Sequence, residues 1–295
     1  EYYQQAGRGV SIQWLNLTPE QSKRLQERLN YIAKPENARY RYEYFTNNCA
    51  SKVRDMLDET LNGQLQKQMT SSSLGNTYRS ESVRLAWPAT WMFLGFDLAM
   101  SSHGDKPLNR WQDAFIPMRL AQSLSETKLP NGKALVSDVQ NVLPHKLPTP
   151  PDEMPDWSLQ ATFIGIALAI LFSLAGQKPR LFNALTIGFW FISGLIGSAL
   201  LAVWLATEHY FVHGNENILL FSPLAWLCII LFFLRNRSPK WLSAFHLTVK
   251  LVAALAALAA IIKLLPLPQQ SNINWLLMFL PVHWAITRQI NKASV

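Results

Sequence analysis

The sequence predicts an α+β domain exported from the cytoplasm, followed by an all-α transmembrane bundle of about five helices. Composition changes along the chain: residues 1 to about 157 are mixed and polar, and long apolar runs dominate from about 158 onward. In the first part, strand-like and helical patterns lead to a helix headed by a cysteine. In the second part, Lys and Arg gather in alternate short connections, the charge bias of a membrane protein. At 295 residues the chain has room for about two domains. The expected division is a soluble domain over 1–142, a proline-rich linker over 143–157 and a membrane domain over 158–295.

The net charge of +8 could suggest nucleic acid, but the basic residues are scattered. A nucleic-acid surface needs a dense Lys/Arg patch with interleaved aromatics, so that class of partner is rejected. The chain begins at Glu1 with no initiator Met or signal peptide, although the membrane half requires insertion. The expectation is a chain truncated at its N-terminus.

Residues 9–17 (Gly-Val-Ser-Ile-Gln-Trp-Leu-Asn-Leu) alternate apolar and polar and are predicted to form a strand. Thr18, Pro19 and Gln21 supply an N-cap, a first-turn proline and a capping-box partner. They open a helix to about Ala33 with Leu25, Leu29 and Ile32 facing inward. Lys34-Pro35-Glu36-Asn37 breaks it, and 39–45 reads as a second strand. Cys49, Val53, Met56, Leu57 and Leu61 then recur at helical spacing, which places Cys49 on the inward stripe. Asn47 or Asn48 is the N-cap, and Gly63 is the stop.

A thiol at a helix N-terminus feels the partial positive charge of the unpaired first-turn amides, which favours the thiolate. Such a cysteine can equally be a small buried apolar residue. The compartment favours the nucleophile. There are two cysteines, and Cys228 falls inside an apolar run, so Cys49 would be an unpaired exported thiol.

Helix, strand and cysteine helix in this order suit a papain-like α+β domain, where a histidine keeps the thiolate ionised and later moves the proton. The soluble half offers His103 and His145. His103 lies beside Asp105 in a turn-rich stretch before a helix expected over 109–123, and either serves as base or is a surface-loop residue. His145 sits among the linker prolines and is read as inert. A base upstream of Glu1 is the other expectation.

Residues 40–58 (Tyr-Arg-Tyr-Glu-Tyr-Phe-Thr-Asn-Asn-Cys-Ala-Ser-Lys-Val-Arg-Asp-Met-Leu-Asp) resemble the cysteine motif in the periplasmic domain of the Lnb-type lipoprotein N-acyltransferases. The resemblance extends back through Leu15 to Gln21. It extends forward through Thr77-Tyr78-Arg79 and through His103 to Leu108, with Trp111, Phe115 and Pro117. It implies a cysteine acyltransferase distantly similar to NlpC-type peptidases and lecithin:retinol acyltransferases, with Cys49 as nucleophile. The family's histidine precedes its cysteine, and no histidine precedes Cys49 here. The implied partners are a membrane phospholipid as acyl donor and a lipoprotein as acceptor. The implied location is a bacterial inner membrane with the soluble domain in the periplasm. A membrane-tethered NlpC-type peptidase or amidase acting on cell wall would use the same nucleophile.

The linker carries Pro144, Pro148, Pro150, Pro151 and Pro155, and Trp157 marks an interface. Apolar runs near 158–176, 184–206, 218–234, 247–265 and 275–290 are long enough to be spans, the last interrupted by Pro281 and His283. Lys178 and Arg180 fall in the first connection, Arg235, Arg237 and Lys240 in the third, and Arg288 and Lys292 at the end. This bias places those three in the cytoplasm, C-terminus included, and the soluble domain outside. Lys250 and Lys263 are expected to snorkel, and the alanine-rich run from Leu251 to Ile262 to pack against other helices.

The second connection, Glu208-His209-Tyr210-Phe211-Val212-His213-Gly214-Asn215-Glu216-Asn217, has no Lys or Arg. His209 and His213 would share one face of a helix, but two ligands are too few for a metal centre, so neither metal nor other cofactor is expected. The loop either orients a lipid headgroup, docks the soluble domain or is an ordinary interfacial loop. The candidate site residues are therefore Cys49, Asn48 and His103 for catalysis, and Tyr44, Arg54, His209, His213, Asn215 and Asn217 for substrate or lipid.

Overall fold

The computed structural model of the chain describes residues 2–292. The anticipated base upstream of Glu1 lies outside them. Two compact units are present: residues 1–81 with 106–150, and residues 82–105 with 151–295. The second unit thus includes residues 82–105, which the sequence-based boundaries place in the soluble domain.

The first unit pairs β1 (Val10–Leu15) with β2 (Val136–Leu143) in an antiparallel ribbon, with Ile12 opposite Gln140. Its helices are α1 (Tyr2–Gln5), α2 (Pro19–Ile32), α3 (Cys49–Thr60), α4 (Gln64–Thr70), α7 (Arg110–Asp113) and α8 (Pro117–Glu126). α5 (Tyr78–Ala86) carries the chain into the second unit. Thr18 and Gln21 close the expected capping box on α2. The core gathers Leu57, Leu61, Leu65, Met69, Ala114, Leu120, Leu124 and Leu135. Beside it, Phe45, Tyr78 and Phe115 pack ring to ring at 5.1, 5.2 and 5.5 Å.

Three local expectations change. Residues 39–45 form no strand: the Glu43 carboxylate accepts the amides of Phe45 and Thr46 at 3.0 and 2.6 Å, folding the chain into a turn closed by the Glu43–Asn47 bridge. The helix expected over 109–123 is broken, because Pro117 offers no N–H to continue α7 and opens α8 instead. On α2, Leu29 is exposed while Leu25 and Ile32 are half-buried.

The second unit is helical: α6 (Thr90–Ala99), α9 (Ser158–Ala175), α10 (Pro179–Ala206), α11 (Asn217–Leu220), α12 (Ala225–Leu234), α13 (Pro239–Ile261) and α14 (Ile273–Lys292). Among the described residues, four stretches are long and apolar enough to cross a membrane: Ser158–Ala175, Pro179–Ala206, Asn217–Leu234 and Pro239–Leu264. The fifth expected span, α14, is a helix of 20 residues that falls outside that set and carries Pro281 and His283.

The third span breaks at Phe221–Leu224, where Pro223 interrupts the helix. The Leu220 carbonyl there accepts Nε2–H of the buried His283 at 3.0 Å, so a backbone group freed by the break finds a partner in the apolar interior. Gly197 on α10 is required by the same break, since a methyl at that position would be driven into the Phe221 carbonyl. Gly197→Ala is expected to destabilise the protein by about 1–3 kcal/mol through overpacking. Urea unfolding of the purified protein in detergent checks this.

Candidate active site

Asn48 fixes the start of α3 through a reciprocal cap. Its Oδ1 accepts the Ser51 amide at 2.9 Å, and the Asn48 amide donates to Ser51 Oγ at 2.8 Å. The remaining Nδ2 protons go to the carbonyls of Tyr44 and Phe115, both at 2.9 Å. Asn48 is buried, with both Nδ2 protons donated to backbone carbonyls and Oδ1 accepting the Ser51 amide, so it fixes the position of the residue after it.

Cys49 is exposed, one position from the inward stripe on which its spacing placed it. The buried face of α3 is Ala50, Ser51, Arg54, Leu57 and Thr60, and Val53 is 45% exposed. The physical reason is Arg54. Its Nη1 donates to the Trp111 carbonyl at 2.6 Å, its Nε and Nη2 to Asp55 at 2.9 and 2.7 Å, and its guanidinium lies 4.0 Å over the Trp111 ring. A cation satisfied in this way can be buried, and it rotates the helix so that Cys49 and Val53 turn outward. Arg54, a candidate for substrate or lipid from the sequence, is buried against Trp111 on the inner face of α3.

The thiol opens onto an apolar groove of about 310 Å³ formed by Val53, Pro117, Leu120, Ala121 and Leu124, with Gln13 at its edge. Gln13 Nε2 donates to the Ala121 carbonyl and Ser125 Oγ, both at 2.9 Å, tying β1 to α8 across the groove. α8 is held from behind by Arg119, whose Nη2 and Nε grip the buried Glu81 at 2.8 and 3.2 Å. On the other side lies a tyrosine ladder. Tyr40, Tyr42 and Tyr44 are exposed, with ring centroids 6.1 and 5.7 Å apart along the ladder. Desolvation first, then the negative charge of Cys49, pushes the Tyr42 phenol above its ordinary pKa. Of the groove residues of α8, Pro117 is among those that carry the family resemblance, whereas Leu120, Ala121 and Leu124 were not singled out from sequence; their signal is the spacing with Pro117 along one helix face.

The other candidates belong to the second unit. The Nδ1 of His103 lies 3.0 Å from Ser101 Oγ, and its ring centroid is 4.0 Å from that of Tyr210. Asp105, expected to orient that ring, accepts the Ser271 amide at 3.0 Å. His209 and His213 flank a 3-10 turn at Tyr210–Val212 and do not share a helix face. His213 donates Nε2–H to the Thr207 carbonyl at 3.0 Å. Asn215 and Asn217 are buried: Asn215 donates to Leu98 O and Ala99 O at 2.9 and 2.8 Å, and Asn217 to Leu98 O at 2.9 Å. They cap the orphan carbonyls at the end of α6.

The same network draws in residues far from these asparagines along the chain. Gln270 Nε2 donates to Asn215 Oδ1 at 3.1 Å, Asn272 Nδ2 to Asn217 Oδ1 at 2.8 Å, and Trp275 Nε1 to Asp97 Oδ2 at 3.0 Å. Lys263 does not snorkel. It pairs with Glu216 and donates to the Gln270 carbonyl at 2.6 Å.

An α+β part bearing an exposed helix-capped thiol, joined to a unit of apolar helices, defines a membrane protein with a small extramembrane domain. Residues 1–88 match the family described as the Lnb N-terminal periplasmic domain, and residues 157–293 match the Lnb transmembrane domain. The chain belongs to the Lnb type, with a periplasmic N-terminal domain followed by transmembrane helices. Searches of curated proteins and of solved structures found no match.

Proposed function

We propose that the protein is a cysteine acyltransferase that N-acylates the N-terminal cysteine of lipoproteins through a thioester on Cys49. The observation that carries this reading is the exposed thiol, set by the Asn48 cap at the mouth of an apolar groove. The groove suits an acyl chain, and the two Lnb-domain matches support the reading.

In the first half-reaction, Cys49 Sγ attacks the ester carbonyl of a phospholipid. The C–O bond breaks, the lysolipid oxygen leaves and takes a proton, and the acyl group remains on sulfur. In the second, the α-amine of the lipoprotein's terminal cysteine attacks the thioester carbonyl. The C–S bond breaks, the thiolate returns, and the amine's proton passes to a base. His103 is carried forward from the sequence as that base. Membrane anchorage raises the local concentration of a donor that stays in the bilayer.

The test uses the full-length protein with phospholipid vesicles and a lipoprotein whose terminal amine is free. Formation of an N-acyl lipoprotein is the expected result, whereas hydrolysis of wall peptides without acyl transfer would move the thiol to a peptidase or amidase. His103→Gln is expected to slow transfer by roughly 10²–10⁴-fold, the usual contribution of a general base. An unchanged rate would remove His103 from the reaction.

A further inference from the structure

A second cavity, of about 510 Å³, lies within the helical unit. Its walls come from the start of α10 and the α12–α13 junction, with Gly176 and Gln289 completing it. Polar groups reach it from Asn183, Thr186, Asn236 and His246. Arg235 stands among aromatic rings, 3.5 Å over Phe232 and 5.6 Å from the Phe245 centroid, with Nη1 donating to the Phe232 carbonyl at 3.3 Å. Among the described residues it has no carboxylate partner, and the sequence has no Asp or Glu between 157 and 207 or between 217 and 292.

Two features point to a ligand. Thr186 is 1% exposed, lines the cavity, and its Oγ1 has no hydrogen-bond partner among the described residues. A buried hydroxyl left so costs about 1–3 kcal/mol unless something accepts or donates to it. Arg235 is a half-buried cation without a counter-ion, in a site otherwise supplied with amide donors. Lys178 and Arg180 lie at the start of α10, and Arg237 and Lys240 at the start of α13, the two helix starts beside the cavity, so the local field attracts an anion.

We propose that this cavity seats a phosphate group, carried by a membrane phospholipid, with Arg235 as its counter-ion and Thr186 donating to a phosphate oxygen. The planar guanidinium matches phosphate geometry, and Phe182, Trp190 and Phe245 line the cavity with apolar surface for the glycerol and the first methylenes. The site makes no use of Cys49.

The test uses the purified full-length protein in dodecyl maltoside micelles, probed separately with phosphatidylglycerol, diacylglycerol and inorganic phosphate. Native mass spectrometry reads retained lipid and thermal unfolding reads stabilisation. Phosphatidylglycerol is expected to be retained and to raise Tm, and diacylglycerol to do neither. Arg235→Gln should weaken retention about ten-fold, as loss of a charge-assisted contact implies, while Lys23→Gln, an exposed position on α2 of the first unit, leaves it within two-fold. Thr186→Val should weaken retention and at the same time raise the Tm of the lipid-free protein, a combination that a merely structural threonine would not produce. Equal binding of diacylglycerol, or equal weakening by Lys23→Gln, would overturn the proposal. Arg235-dependent stabilisation by inorganic phosphate but not by phosphatidylglycerol would assign the site to a free anion and overturn the lipid assignment.

Discussion

Cys49→Ser is expected to abolish N-acylation, lowering the rate by roughly 10³-fold or more, as removal of a covalent nucleophile does. Serine keeps the size of the side chain and the N-terminal position on α3. The cap does not depend on the thiol, since it runs through Asn48 and Ser51. Folding and membrane insertion should therefore be unaffected, and a loss of product can be attributed to sulfur. The check compares N-acyl lipoprotein formed by the wild-type and variant full-length proteins at equal amounts in vesicles. Rates within a few-fold of each other would show that the thiol is not the nucleophile.

The second large effect concerns stability. Lys263→Met should destabilise the helical unit by about 3 kcal/mol or more, because it leaves the Glu216 carboxylate largely buried without its cation. Glu216 also accepts the Gln270 amide at 3.0 Å, and Gln270 holds Asn215, which caps α6. The loss should therefore reach the segment that carries His103. The double variant Lys263→Met, Glu216→Gln removes both charges and should recover much of the loss. Denaturation in detergent measures both variants. A double variant no more stable than Lys263→Met would show that repair of the charge pair is not the controlling term.

The parts of this fold that were legible in the sequence are those fixed by local chemistry. Thr18, Pro19 and Gln21 announce α2 because a capping box joins residues only three apart, and the asparagines before Cys49 announce the start of α3, with Asn48 of the two candidates serving as its N-cap. The apolar runs announce the membrane helices because the bilayer demands their length. The rest depends on distant partners. Periodicity assigns an arginine to the solvent face, and the carbonyl and ring of Trp111 reverse that for Arg54, which turns Cys49 outward. β2 escaped notice because Val136, Val139 and Val142 recur at threes, and the strand is made by its pairing with β1. The alternating Tyr40, Tyr42 and Tyr44 look like a strand, but the Glu43 carboxylate closes a turn instead. Asn215 and Asn217 read as ligand-binding residues because the carbonyls they cap belong to a helix more than a hundred residues away.

The proposed reaction requires an acyl group carried on Cys49. The direct measurement is peptide mass spectrometry of the full-length protein after incubation with phosphatidylglycerol vesicles and no lipoprotein acceptor. A fatty-acyl adduct is expected on the Cys49 peptide, released by hydroxylamine and lost when the amine acceptor is added, with N-acyl lipoprotein formed in its place. Acceptor turnover with no adduct on Cys49, or an adduct that persists through turnover, would contradict the proposed reaction.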